Sequence, residues 1–412
     1  MTTSLLASES ETAELAGGSS ARLARWLALE ITVPVVMFAS AAIVIGLHWD
    51  IAWHRSIGRD TFWSPPHLLE QIAAAAAGLC CGWRVLYTSF LGTDADRQGA
   101  VRWWKVFYGP LGGWVCIWGT IAMITSAPFD DWWHNAYGLD VEILTPPHVF
   151  LLLGMATVQL GAMLMMLAEQ NRSDGSERRG RSVAFAAAMG LIVLMAATMV
   201  YAETGVANLQ HRPAFFQITA AIFPLFFLAV ARAGRLRFAA TTAAITYMGI
   251  LVVMNWVLAL VPATPKLGPI YNPVTTLVPP GFPMLLLAPA LVIDWLVSRA
   301  GRGSDGLLAV AAGAAMVTVL FAVQWPFAAW LLTLDQPNYW LGQGYWDYSS
   351  PLGVWTQQFA QVPGTRWVRG AGWTGELDRL VLAQGLVTAL GFGIVSSRIG
   401  LWWGNWMTRV RR

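Results

Sequence analysis

Two carboxylates and four imidazoles recur in this chain at nearly the same spacing, and that pairing is where chemistry can be sought first. The first set is Asp50, His54 and His67, within DIAWHRSIGRDTFWSPPH; the second is Asp130, His134 and His148, within DDWWHNAYGLDVEILTPPH. Both stretches read Asp-x-x-Trp-His, then glycine four residues on (Gly58, Gly138), then a second acid (Asp60, Asp140). Both close on Ser/Thr-Pro-Pro-His, the second copy holding one extra residue before its prolines. Imidazole with carboxylate suits copper, zinc or iron. An Asp and a His four residues apart share one face if that stretch is helical. Four of the six histidines fall in the two copies, so a shared metal-ligand pattern competes well against solvated residues in structural turns. A proton relay built from His and acids is the third account.

Other groups stand beside these ligands. Glu70 lies three residues after His67, on the same face if the chain is helical there, and can act as a ligand or as the outer partner of an imidazole N–H. Asp60 and Asp140 are candidates for the same outer role. His48 precedes the first motif, and Glu203 and His211 flank a later outward turn, so all three are additional candidates. No catalytic residue can be named. The three cysteines, Cys80, Cys81 and Cys116, read as small apolar packing residues. There is no glycine-rich phosphate loop and no nucleophile elbow.

The elements that must hold these groups are membrane helices. Of 412 residues, 56% are hydrophobic and 12% charged, with a mean hydropathy of +0.52. A soluble domain carries about 25% charged residues, and a membrane span needs about 20 mostly apolar ones. Such runs occupy approximately 27–47, 67–89, 106–127, 148–168, 183–202, 214–231, 238–262, 282–298, 306–333 and 380–398. Threading these ten spans puts 19 of the 26 Lys and Arg residues on one side. Short cationic loops stay in the cytoplasm. The expected arrangement is therefore a multi-pass protein of a bacterial-type inner (plasma) membrane with both termini cytoplasmic. All six histidines then face the periplasmic or outer side.

The expected fold is an all-α, polytopic transmembrane bundle of about ten spans built from tandem helix-hairpin repeats. A cytoplasmic tail (1–26) precedes a transmembrane domain (27–398), and a basic tail (399–412) follows. Within the domain, repeat 1 covers about 27–90 and repeat 2 about 106–168, with degenerate repeats over about 183–298. An aromatic outer loop, 334–378, carries Trp340, Tyr345, Trp346, Trp355, Trp367 and Trp373, suited to an interfacial belt or lid. The matched motifs imply parallel repeats, and sites in membrane folds tend to form where repeats meet. On that expectation His54, His67, His134 and His148 gather around one metal or a close pair.

The spacing Asp50-x3-His54-x12-His67 resembles the Asp/His/His copper motif in the C subunit of the copper membrane monooxygenases, the methane and ammonia oxidisers. The likeness covers about 18 residues, and the second copy departs from it, with thirteen residues between its histidines. It implies copper at Asp50, His54 and His67, and oxidation of a small apolar substrate within a multi-subunit assembly. The sequence thus points to a membrane metalloprotein, with a copper- or iron-dependent oxidoreductase or monooxygenase as the leading activity. Zinc, with hydrolysis of a lipid, is a further option. A non-catalytic metal-handling protein and a transporter with a His/Asp proton relay are the alternatives. The expected partners are the bilayer, other membrane subunits or a periplasmic redox protein, and no nucleic acid.

Overall fold

A computed structural model describes residues 22–58, 63–138, 145–204, 210–266, 275–279, 284–300, 304–332, 367–368, 372–373 and 379–411. The fold is all-α. Its helices are α1 (Thr32–Ser56), α2 (Pro65–Leu86), the short α3 (Asp94–Gln98), α4 (Leu111–Tyr137), α5 (Pro146–Arg172), α6 (Glu177–Thr204), α7 (Pro213–Ala233), α8 (Ala239–Leu260), α9 (Leu287–Arg299), α10 (Asp305–Leu332) and α11 (Arg379–Met407). Helix α1 is entered through a π-helical turn, Leu27–Ile31, and α2 leaves through another, Tyr87–Leu91. Among the described residues, nine helices are long and apolar enough to cross a bilayer, so this is a multi-pass membrane protein. The stretch expected as the eighth span contains α9, whose 13 residues reach only about 20 Å at 1.5 Å per residue.

The helices outrun the apolar stretches. Helix α1 continues to Ser56 and α4 to Tyr137, so Asp50, His54, Asp130 and His134 lie on helices, not in connecting loops. Helix α11 runs on to Met407, through most of the stretch expected as a basic tail. A two-stranded hairpin, β1 (Val101–Trp103) with β2 (Phe107–Gly109), joins α3 to α4. Two short strands, β3 (Trp367–Val368) and β4 (Gly372–Trp373), pair within the aromatic loop. The rest of 334–378 lies outside the described residues.

The chain divides into two compact units. The first comprises Met1–Ala41, Gln71–Ala168 and Arg411–Arg412; the second comprises Ala42–Glu70 and Glu169–Val410. In the first, α4 and α5 approach through glycine. A Cβ on Gly112 would sit 2.3 Å from the Gly161 carbonyl oxygen, and one on Gly119 would sit 2.7 Å from the Val158 nitrogen. Lipid gives no hydrophobic drive to helix pairing, so backbone-close packing of small residues supplies the contact. Thr120 adds a hydrogen bond from its hydroxyl to the Ala74 carbonyl on α2, at 2.9 Å.

In the second unit the same device joins α7 to α11, where Gly400 and Gly404 lie against Leu225 and Ala229. Asp305, at the start of α10, pairs with Arg232 and accepts a hydrogen bond from Asn405 Nδ2 at 3.1 Å. Asp294, on α9, caps the start of α8. Its carboxylate accepts from the Ala240 N–H at 3.1 Å, the Thr241 N–H at 2.8 Å and the Thr241 hydroxyl at 2.7 Å. A carboxylate suits the partial positive charge of a helix N-terminus. Asp294→Ala would strand three buried donors, at about 1–3 kcal/mol for each group left unsatisfied. We expect it to lower the detergent-denaturation midpoint clearly, with Asp294→Asn recovering part of the loss.

Candidate metal centre

The first motif sits at the end of α1 and the start of α2. Residues 50 and 54 are one helical turn apart, and Pro65 and Pro66 open α2, where a missing N–H costs nothing. His67 is thereby set in the first turn. Asp50 Oδ1 lies 3.3 Å from His54 Nε2 and 3.0 Å from His67 Nε2. One ligand atom from each of the three residues falls within 4.8 Å of the others. The two rings are 5.8 Å apart and inclined at 43°.

These separations fit a common ion. Donors at about 2.0–2.1 Å from a tetrahedral metal stand about 3.3 Å from one another. Asp50 Oδ1 is buried, and both ring nitrogens stand within ion-pair distance of it. The three atoms make an O, N, N set that could hold an ion and that suits copper, iron or zinc.

The surrounding chain fixes this geometry. The Ser56 hydroxyl donates to the Ala52 carbonyl and accepts from the Val278 N–H, both at 2.7 Å. The Lys266 N–H donates to the Ile57 carbonyl at 2.8 Å. Beneath these bonds Ala52, Ile57, Leu258, Ala263 and Leu277 form a buried apolar cluster, with Trp49, Trp53 and Met254 packed on it. The end of α1 is therefore held by the segment that follows α8. Gly58, with φ +94°, takes the chain out of the helix in a conformation that suits glycine.

The second motif repeats the plan within the first unit. His134 Nε2 lies 3.3 Å from Asp130 Oδ2, and His148 Nε2 lies 3.5 Å from Asp130 Oδ1. Gly138 matches Gly58, with φ +86°. The difference is that the two histidines face different oxygens of Asp130, whereas both face one oxygen of Asp50. His134 Nδ1 lies 3.2 Å from the Gly138 carbonyl and His148 Nδ1 lies 3.0 Å from the Thr145 hydroxyl. Such outer bonds orient metal-binding imidazoles. They fall to a backbone carbonyl and to the threonine of Thr-Pro-Pro-His. An apolar groove of Phe129, Pro146, Val149, Phe150 and Leu153 flanks this triad.

Each carboxylate thus gathers the histidines of its own motif. Asp60 and Asp140, the expected outer partners, lie outside the described residues, and Glu203 falls in the last turn of α6 with its side chain also outside them. His48 is buried, and its Nδ1 meets the Thr198 hydroxyl at 3.0 Å. That hydroxyl donates to the Leu194 carbonyl at 2.9 Å, so it accepts from His48, which pins α1 to α6. His211 donates its Nε2–H to the Trp325 carbonyl at 3.1 Å and lies edge-on to the Trp325 ring. Burial pushes its pKa below the ordinary histidine value, with the Trp325 carbonyl acting in the opposite sense. Both histidines are thereby engaged in packing. Glu70, one turn into α2, is buried near Asp50 and His67.

Comparison with protein-family models, with curated proteins and with solved structures finds no match to this chain.

Proposed function

We propose that this protein is a membrane metalloprotein whose Asp50, His54 and His67 hold a copper or iron ion used to oxidise a small or lipophilic substrate. The observation that carries the reading is the ring of three donor atoms within 4.8 Å, built by residues of two successive helices. The resemblance of this motif to the copper motif of the membrane monooxygenases supports copper, and the cation distribution supports a periplasmic or outer location. When bound, copper or iron supplies a one-electron redox change. The chain's own part is to fix the donors. Asp50 contributes the anionic oxygen, and the Ser56, Val278 and Lys266 bonds hold the end of α1 still. In this reading dioxygen is the oxidant: one of its atoms goes into the substrate and the other leaves as water, with two electrons delivered by a redox partner or a companion membrane subunit and two protons taken from solvent.

The test is elemental analysis and electron paramagnetic resonance of the purified full-length chain after loading with Cu(II), Fe(II) or Zn(II). One tightly held copper or iron with a nitrogen-and-oxygen signature supports the reading. Zinc alone shifts the function to hydrolysis. A folded protein that retains no metal overturns it and leaves a His/Asp proton relay as the better account.

A further inference from the structure

The two motifs differ in one buried charge. Glu70 follows His67 by three residues, and the matched position after His148 is Leu151. Glu70 is only 2% exposed, and its Oε1 is buried without a hydrogen-bond partner among the described residues. The helix opposite is cut away to admit it. A Cβ on Gly46 would lie 2.6 Å from Glu70 Cγ, and the position matching Gly46 in the second copy is Ser126. Gly46 and Glu70 therefore form a fitted pair, and the second copy has neither partner. An acid buried in a membrane protein stays neutral unless a positive charge faces it.

We infer that Glu70 is the countercharge that fits the first centre for a divalent ion. It stands outside the ring of three donors and acts through charge. The inference rests on reading that ring as a metal site. A doubly charged ion held by Asp50 and two neutral imidazoles leaves one positive charge in a low-dielectric setting, and Glu70, releasing its proton to solvent as the ion enters, cancels it. A singly charged ion is already balanced by Asp50 alone. Glu70 thus favours the divalent over the monovalent state of a redox metal. The second triad has leucine, Leu151, at the matched position.

The test compares binding of Cu(II), Zn(II) and Cu(I) to the full-length chain in detergent, by competition with chelators of known affinity. Glu70→Gln keeps the shape and removes the charge. It should weaken Cu(II) and Zn(II) by about tenfold or more, the size typical of lost outer partners, and change Cu(I) affinity by much less. Glu70→Asp should restore part of the divalent affinity. Gly46→Ala, which crowds the carboxylate without altering its charge, serves as a second variant should Glu70→Gln not accumulate in membranes; it should also weaken divalent binding selectively. Equal losses for Cu(I) and Cu(II) would mean that Glu70 is only structural, and the inference falls. Unchanged binding in Glu70→Gln, with metal lost in His67→Ala, overturns it too while sparing the metal site. Unchanged binding in both variants removes the metal site itself.

Discussion

Replacing His67 with alanine is expected to abolish stoichiometric metal binding at the first centre while leaving the protein folded in the membrane. In the proposed site His67 supplies one of the two nitrogen donors found among the described residues, and its Nε2 is the closer of the two to Asp50 Oδ1. Loss of an outer partner already weakens a metal site by about 10–100-fold, so loss of a direct donor should exceed about 100-fold. Asp50→Ala should do at least as much, because it removes the single anionic oxygen that both imidazoles face. The fold should survive, since α1 and α2 are held by contacts away from the triad. Among these are the Ser56 bonds, the His48–Thr198 bond and the apolar cluster under Ile57. Metal content per chain, measured with a gel-filtration profile of the same sample, checks both halves of the statement. His67→Ala with full metal content would remove the first centre.

The second large effect is expected from Gly161→Leu. A Cβ there would lie 2.4 Å from Cys116 Sγ, 2.6 Å from the Gly112 carbonyl oxygen and 2.8 Å from the Cys116 nitrogen. Two of these are backbone atoms that no rotamer change can move, so the helices must part. Overpacking a rigid core costs about 1–3 kcal/mol and sometimes more. Here the upper end or beyond is expected, because the contact repeats along the pair at Gly112, Gly119 and Gly154. Gly249→Leu, where an added Cβ meets nothing within 4 Å, is the control and should be close to neutral. Denaturation midpoints in mixed detergent micelles compare the two. Parting α4 from α5 should also separate Asp130 from His148, because each stands on one of those helices.

The spans were legible because membrane helices must satisfy their own backbone and present apolar side chains to lipid, a signal that survives in composition alone. Their ends were not. Asp50, His54, Asp130 and His134 are polar, so a hydropathy window closes before them. Yet α1 and α4 carry on, because a helix is a satisfactory conformation for polar residues at the interface. Within each motif the association of one acid with two histidines was readable from spacing, since i and i+4 meet on a helix and the prolines fix where the next helix begins. What spacing could not convey was which carboxylate oxygen each ring would face, and that detail separates the Asp50 triad from the Asp130 triad. Nor could it reveal that His48 is tied to Thr198, 150 residues away, or that Val278 reaches back to Ser56 across 222 residues. Those contacts depend on long-range packing, which leaves no local periodicity.

The reach of those bonds has a consequence for the order in which the protein matures during synthesis. The Asp130 triad stands on α4 and α5, neighbours in sequence whose glycine faces can close as soon as both helices have entered the bilayer. The Asp50 triad is different. Its helix end is braced by Lys266 and Val278, which leave the ribosome some 200 residues later and emerge at about 5–20 residues per second. For that interval, about 10–40 s, Asp50, His54 and His67 exist without the brace that sets their geometry. The first centre should therefore acquire its metal late, on a nearly finished chain. Truncation before residue 260 should yield a membrane-inserted protein that closes its α4–α5 hairpin and fails to load the Asp50 centre.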